Sequence, residues 1–231
     1  YHYRIRARSE RKMSEKEKTT RILIVRHGQS VGNLTRRFLG RTDLDLTETG
    51  REQARLTGEF LKNERIDRAY SSPLRRAVET CREIAAFHKG LEIGTEPRIA
   101  EIYAGKWENM PFSEIEEKYG DDFRIWKEDI GNAVCTGGES LKSVYKRVSA
   151  ALEDIVRKNA GKTVLLTSHG AAIRSMTTFI AGLPVERMKE IDWASNASVT
   201  FAYHDENGFH LEKSGYDEHI GDLRSSLPKS V

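Results

Sequence analysis

Ile22-Leu23-Ile24-Val25-Arg26-His27-Gly28 is the stretch on which the fold turns. Four apolar residues, three of them β-branched, read as a buried strand. The run stops at a cation, an imidazole and a glycine. Strands of open α/β sheets end at the edge where ligands bind, so the position itself marks a site. The same layout returns in Thr163-Val164-Leu165-Leu166-Thr167-Ser168-His169-Gly170: apolar strand, then His-Gly, then helix-forming sequence. Two histidines placed alike at two strand ends are expected to converge on one substrate.

Between and beyond these stretches, strand and helix signals alternate. Thr47 is an expected N-cap for a helix with Ala54, Leu56, Phe60 and Leu61 as its apolar stripe. Ile66–Ser71 is an expected strand, and Pro73 is placed in the first turn of a helix carrying Leu74, Ala77, Val78, Cys81, Ile84 and Ala85. Leu91–Ile99 reads as extended. Residues 100–138, with Trp107, Phe112, Phe123 and Trp126, break the rhythm and read as an excursion of short helices capping the sheet edge. Leu141, Val144, Val148, Ala151, Leu152 and Ile155 space a long amphipathic helix. Two late strands close as a hairpin around Glu206-Asn207-Gly208. The expected fold is α/β, a three-layer α/β/α arrangement with a mostly parallel sheet, an antiparallel edge and helices on both faces.

The chain has 231 residues, 38% hydrophobic and 32% charged, which suits a globular protein with a real core. No apolar run approaches the roughly 20 residues of a membrane span, and the first residues show no apolar secretory segment. Cys81 and Cys135 form no CxxC pair, so neither a structural zinc nor a disulfide framework is expected, and the default setting is a reducing cytoplasm. The net charge of +3 hides a basic leader. Residues 1–21 hold Arg4, Arg6, Arg8, Arg11, Lys12, Lys16, Lys18 and Arg21 against Glu10, Glu15 and Glu17. The leader has no apolar face, and Met13 reads as a native start. Residues 1–12 are therefore expected to be expression-derived and 1–20 to be a disordered leader. A single domain is expected over 21–222 and a loose tail over 223–231.

Arg26 is a permanent cation beside His27, and Gly28 permits close backbone approach. If a helical turn follows Gly28, its free N–H groups favour an anion. An imidazole at the centre of such a site can attack phosphorus. At the third strand-to-helix junction either Arg75 or Arg76 could reach the pocket, and Arg76, directly before Ala77 on a packed helix start, is the better candidate. Metal binding by His27 and His169 is unattractive beside the fixed charge of Arg26.

These residues carry a family resemblance. Arg26-His27-Gly28, the Ser-Pro-Leu-x-Arg-Ala-x-x-Thr pattern at 72–80, Glu101-x-x-x-Gly105-x-Trp107-Glu108, Gly138-Glu139-Ser140 and Ser168-His169-Gly170 occur in this order. Together they resemble the histidine phosphatase superfamily, which includes the cofactor-dependent phosphoglycerate mutases. The resemblance implies His27 as the nucleophile forming a phosphohistidine, and Arg26, Arg76 and His169 as holders of the phosphoryl oxygens. It implies Glu101 as general acid and then base. It implies Asn33 as a polar contact to the phosphoryl group, and Phe38, Leu39 and Gly40 as a loop wall. Gly28 and Gly170 are expected at the substrate, and Trp107 is expected either as pocket wall or as core. His219 resembles a C-terminal segment near the site in phosphatase-type members. No metal or cofactor is implied.

Within that resemblance, mutases follow the acid with Arg-His-Tyr and carry a paired-arginine insertion. Here Glu101 is followed by Ile102-Tyr103-Ala104, and Arg124 is the only arginine between Lys118 and Gly138. The phosphatase pattern Gly-x-Trp-Glu-Gly is met except for Asn109 at its last position. The expected activity is hydrolysis of a small phosphate ester, with mutase activity or a non-catalytic phosphate-binding module as alternatives. Neither nucleic acid nor membrane is an expected partner, and a homodimer is left open.

Overall fold

The computed structural model describes residues 19–225; the expected leader up to residue 18 and the tail from 226 lie outside them. Strand β1 is Thr20–Arg26, followed by a one-turn helix α1, Val31–Leu34, and a short strand β2, Arg37–Phe38. Helix α2 is Glu48–Leu61, strand β3 Arg68–Ser71, helix α3 Arg75–Ala85 and strand β4 Ile93–Thr95. The excursion holds strand β5, Met110–Pro111, with helices α4, Phe112–Lys118, and α5, Gly120–Glu128. Helix α6, Leu141–Lys158, leads into strand β6, Thr163–Ser168, and helix α7, Gly170–Ile180. Strands β7, Val199–Asp205, and β8, Gly208–Tyr216, form the closing hairpin.

The six-stranded sheet runs β4-β3-β6-β1-β7-β8. The first four strands are mutually parallel, and β7 and β8 are antiparallel. β2 and β5 pair separately and tie the excursion to the loop after β1. The reason for an unbroken apolar run in β1 is that both of its faces are covered. Ile22 and Ile24 pack into the core beneath α6 and α7, and Leu23 and Val25 into a second core with Leu61, Cys81 and Ile84. β6 divides the same way, Val164 and Leu166 against Leu165.

Several local expectations are adjusted. β1 starts at Thr20, whose buried hydroxyl donates to the Asn159 carbonyl at 3.1 Å, so the leader cannot extend to residue 20. Pro73 stands two residues before α3, and Leu74 supplies the extended N-cap instead. The tail is anchored at its start: Gln53 Nε2 donates to the Leu223 carbonyl at 2.7 Å and to Ser225 Oγ at 3.3 Å. Phe60 is 40% exposed rather than core, with its ring stacked on His219 at 4.6 Å. Asn109, where the phosphatase pattern has glycine, has φ of 54°, a left-handed conformation that asparagine tolerates better than most residues.

The close approach at Gly28 is to protein, not to substrate. A Cβ on Gly28 would lie 2.2 Å from the Gly50 carbonyl oxygen, and a Cβ on Gly50 would lie 2.0 Å from the Gln29 carbonyl oxygen. The first turn of α2 is thereby pressed against the loop after β1. Gly28→Ala and Gly50→Ala are each expected to destabilise the fold by about 1–3 kcal/mol through overpacking, read as a lowered midpoint in urea unfolding.

Candidate active site

Strand ends assemble the site. Parallel pairing sets Arg26 opposite Ser168, and the His27 N–H donates to the Ser168 carbonyl at 3.0 Å. One residue further along each strand, the His27 and His169 rings stand 5.2 Å apart. β3 pairs Ser71 with Thr167, which brings Ser72 alongside, its Oγ 2.7 Å from His169 Nε2.

Two buried guanidinium groups frame the histidines. Arg26 Nη1 donates to the Ala194 carbonyl at 2.6 Å. Arg76, in the first turn of α3, donates from Nη1 to the Thr42 carbonyl and from Nη2 to the Gly40 carbonyl, both at 2.8 Å. Their Nε atoms are buried without a partner among the described residues. Arg75 points elsewhere, pairing with Asp43 and Asp45 at an exposed position. Glu108 fastens the loop that receives Arg76: its Oε1 accepts from the Ala104 and Arg41 amides, and its Oε2 from the amide and hydroxyl of Thr42.

Glu101 faces this group from the other side. Its Oε1 accepts from the Ile102 amide at 2.9 Å and the Ala172 amide at 3.2 Å, and its Oε2 from the Ala171 amide at 3.2 Å. The carboxylate thus occupies the start of α7, where unpaired N–H groups favour negative charge. At α1 the amides are already used: Val31 donates to the Asp45 carbonyl, and Ser30 and Asn33 form a reciprocal cap. The anion site expected at that helix start is therefore replaced by one built from side chains. Asn33 Oδ1 receives Ser30 N, Ser30 Oγ and Asn196 Nδ2, which leaves its own Nδ2 as a donor at the cavity.

A cavity of about 340 Å³ opens here, lined by Arg26, His27, Arg76, Glu101, Gly170, Asn33, Phe38, Leu39 and Gly40 among others. Four residues singled out in the sequence stand apart from its lining. His169 is fully buried behind it, in ring contact with His27. Trp107 is core: it is fully buried, donates from Nε1 to Thr136 Oγ1 and packs edge-on against Phe38. Gly28 is committed to Gly50. His219 also lies outside the lining, 3.0 Å from Thr57 Oγ1.

The cavity also has walls that motif reading passed over. Asn196 bonds the His27 carbonyl at 3.0 Å, but it sits in an irregular stretch with no pattern to flag it. Phe112, Trp126 and Trp193 supply aromatic surface. Arg36 and Arg37 line the mouth, and Arg36 is turned there by a left-handed backbone, φ 53°. An adjacent arginine pair gives no hint in the sequence of which way it faces.

The electrostatics favour neutral imidazoles. Burial, then Arg76 and Arg26, hold His27 well below the ordinary histidine range. Burial and Arg76, with His27 and Arg26 behind them, do the same to His169. Burial also lowers Arg76 to about 10, which leaves it charged at neutral pH. His27 Nδ1 lies 2.7 Å from the Gly28 carbonyl, which can only accept, so Nδ1 carries the proton and Nε2 the lone pair. A neutral imidazole with a free lone pair, two cations bonded only to carbonyls and a facing carboxylate are the parts needed to receive an oxyanion and attack its centre. Among the described residues, no three His, Cys, Asp or Glu side chains group as a metal site would require, and no helix is long and apolar enough to cross a membrane.

A family model described as histidine phosphatase superfamily, branch 1, matches residues 22–217. Phosphoserine phosphatase 1 of Hydrogenobacter thermophilus is 36% identical over 91% of this chain and 99% of that protein. Among solved structures, YhfR of Bacillus stearothermophilus superposes with a TM-score of 0.83 at 28% identity, covering 87% of this chain and 99% of that one. A mycobacterial glucosyl-3-phosphoglycerate phosphatase complexed with VO3 gives 0.79 at 26% identity, covering 85% and 99%.

Both imidazoles are held neutral in the fold, whereas in the unfolded chain histidine titrates near about 6.5. The unfolded chain then binds more protons at low pH. Stability should be complete above about pH 6.5 and fall below it, by up to about 1.4 kcal/mol per pH unit for each histidine. His88 and His219, lowered by burial, act in the same direction. Urea titrations of a His27→Gln/His169→Gln double variant should therefore show a shallower loss between about pH 6.5 and 5 than the parent chain; an unchanged slope would contradict neutral burial of the pair.

Proposed function

The chain belongs to the histidine phosphatase superfamily, branch 1, and is a phosphoric monoester hydrolase; from that premise we propose that it transfers the phosphoryl group of a small phosphorylated metabolite to His27 and then to water. The observation that carries this reading is His27 itself, its Nδ1 fixed by the Gly28 carbonyl and its ring set between two buried cations. In the first step Nε2 attacks phosphorus, the bond to the ester oxygen breaks, and Glu101 gives that oxygen its proton. Arg26 and Arg76 take up the charge on the equatorial oxygens. With Ser72 donating its hydroxyl proton to Nε2 of His169, the Nδ1–H of His169, buried against the His27 ring, has no partner within the described residues and is the further donor the phosphoryl group would meet once bound at His27. In the second step Glu101 accepts a proton from water as its oxygen attacks the phosphohistidine. Inorganic phosphate leaves and His27 is restored.

The remainder of the substrate extends toward Arg36 and Arg37, past the aromatic wall. Two further cations at the mouth suit an ester with a second anionic group. Phosphoserine and glucosyl-3-phosphoglycerate, named for the two phosphatase relatives, each carry a carboxylate besides the phosphate. Arg124 is 61% exposed beside Asp121 and is no part of this wall. The setting proposed is a reducing cytoplasm, with Cys81 and Cys135 both free and buried.

Purified protein should release phosphate from an aryl phosphate and from carboxylate-bearing alkyl phosphates. His27→Ala should lower the rate by about a thousandfold or more. Brief exposure of the parent chain to labelled substrate should leave acid-labile phosphate on His27. Phosphate release by His27→Ala at the parent rate would refute the mechanism, and binding with neither turnover nor phosphohistidine would favour a non-catalytic module.

A further inference from the structure

Glu101 is carried by a segment with no ladder of its own. Residues 100–104 belong to neither helix nor strand, so their backbone groups must find partners elsewhere. The Ala104 amide goes to Glu108 and the Ile102 amide to Glu101 itself, but the Ala100 and Glu101 carbonyls and both backbone groups of Tyr103 meet one ion pair. Arg147, in the middle of α6, donates to the Arg98 carbonyl at 2.6 Å, the Ala100 carbonyl at 2.7 Å and the Glu101 carbonyl at 3.1 Å. The same guanidinium grips Glu139 in bidentate fashion, Nε to Oε1 at 2.8 Å and Nη2 to Oε2 at 3.1 Å. Glu139 in turn accepts the Tyr103 amide on Oε2 at 3.1 Å, and its own amide donates to the Tyr103 carbonyl at 2.8 Å. Arg41 adds a bond from Nε to the Glu101 carbonyl at 3.3 Å.

The pair is sheltered, with side-chain exposures of 17% and 12%. Five donated bonds from one planar group fix its orientation as lysine could not. The Glu101 carboxylate itself is held against α7 by two longer contacts of 3.2 Å and by its own neighbour's amide. Its position along the cavity is therefore set by the backbone on which Arg147 and Glu139 act. Glu139 belongs to the Gly138-Glu139-Ser140 motif, and neither it nor Arg147 lines the cavity.

We propose that Arg147 and Glu139 are positioning residues for Glu101: they hold the 98–103 segment so that the carboxyl group can deliver its proton to the leaving oxygen. This inference rests on the phosphatase reading and on the acid role of Glu101. It makes a demand that a merely structural role would not. Proton delivery matters greatly for an alkyl leaving group, which departs as a strongly basic alkoxide. It matters little for 4-nitrophenolate, which departs readily unprotonated.

The test compares kcat/KM, which reports the step that forms the phosphohistidine, for 4-nitrophenyl phosphate and for glycerol phosphate. The full chain, Glu101→Gln, Arg147→Met and Glu139→Gln are each assayed, with thermal unfolding to confirm the fold; Glu139→Gln keeps its shape and serves where Arg147→Met does not fold. Glu101→Gln should lose about a hundredfold more on the alkyl than on the aryl ester. Arg147→Met and Glu139→Gln should show the same bias, about tenfold or more, and adding Glu101→Gln to either should cost less than it does alone. Equal losses on both esters, or no loss, overturn the positioning role. A parent chain that hydrolyses neither ester overturns the phosphatase reading and this inference with it, whereas a Glu101→Gln variant without the bias overturns the acid role on which it rests.

Discussion

Arg26 and Arg76 carry positive charge into the buried wall of the cavity, and both answer it with backbone carbonyls rather than carboxylates. A buried cation without an ionised partner is costly, and carbonyl dipoles offset only part of that cost. The rest of the site follows from this. The two histidines beside them are kept neutral, first by their own burial and then because a third or fourth positive charge in the same space would be repelled. The carboxylate that shares their cavity, Glu101, is drawn off to the start of α7 instead of closing an ion pair. What remains is an uncompensated positive field with an imidazole lone pair at its centre, which suits a phosphoryl dianion.

Holding such a field open requires rigid surroundings, and two of the charged groups, Arg76 and Glu101, are anchored through a second charged group one step removed. Glu108 pins the loop whose carbonyls receive Arg76. The Arg147–Glu139 pair pins the segment that carries Glu101. Asn196 ties the His27 carbonyl to Asn33. These contacts are largely shielded and geometrically specific, unlike the exposed pairs along α2, Arg55 with Glu52 and Glu59, which contribute little to stability.

Legibility followed periodicity and local chemistry. The run at 22–25 marked a strand buried on both faces because sidedness shows directly in an unbroken apolar string. Thr47 marked a helix start because a capping hydroxyl acts on a backbone amide three residues away. Ordered motifs singled out Arg76 over Arg75 and Glu101 over its acidic neighbours. Other features had no local signature. Trp107 would be equally at home in a wall or a core until Phe38 and Thr136 are placed beside it. Gly28 reads as room for a ligand until Gly50 is packed against it. Arg36 and Arg37 are ordinary surface charges until a left-handed turn directs them to the cavity mouth.

From the sequence alone came the alternation of strands and helices, the covered faces of β1 and β6, and the residue types of the chemistry, because these depend on neighbours within a few positions. The like placement of His27 and His169 raised the expectation that they converge, but only the tertiary structure decided how they meet. They are 142 residues apart, and one register of β1 on β6, Arg26 against Ser168, brings their rings to 5.2 Å. Slipping a strand by one residue would turn every side chain to the opposite face, and the two buried cores forbid it. The site is therefore fixed by packing far from it, which no local stretch of the chain records.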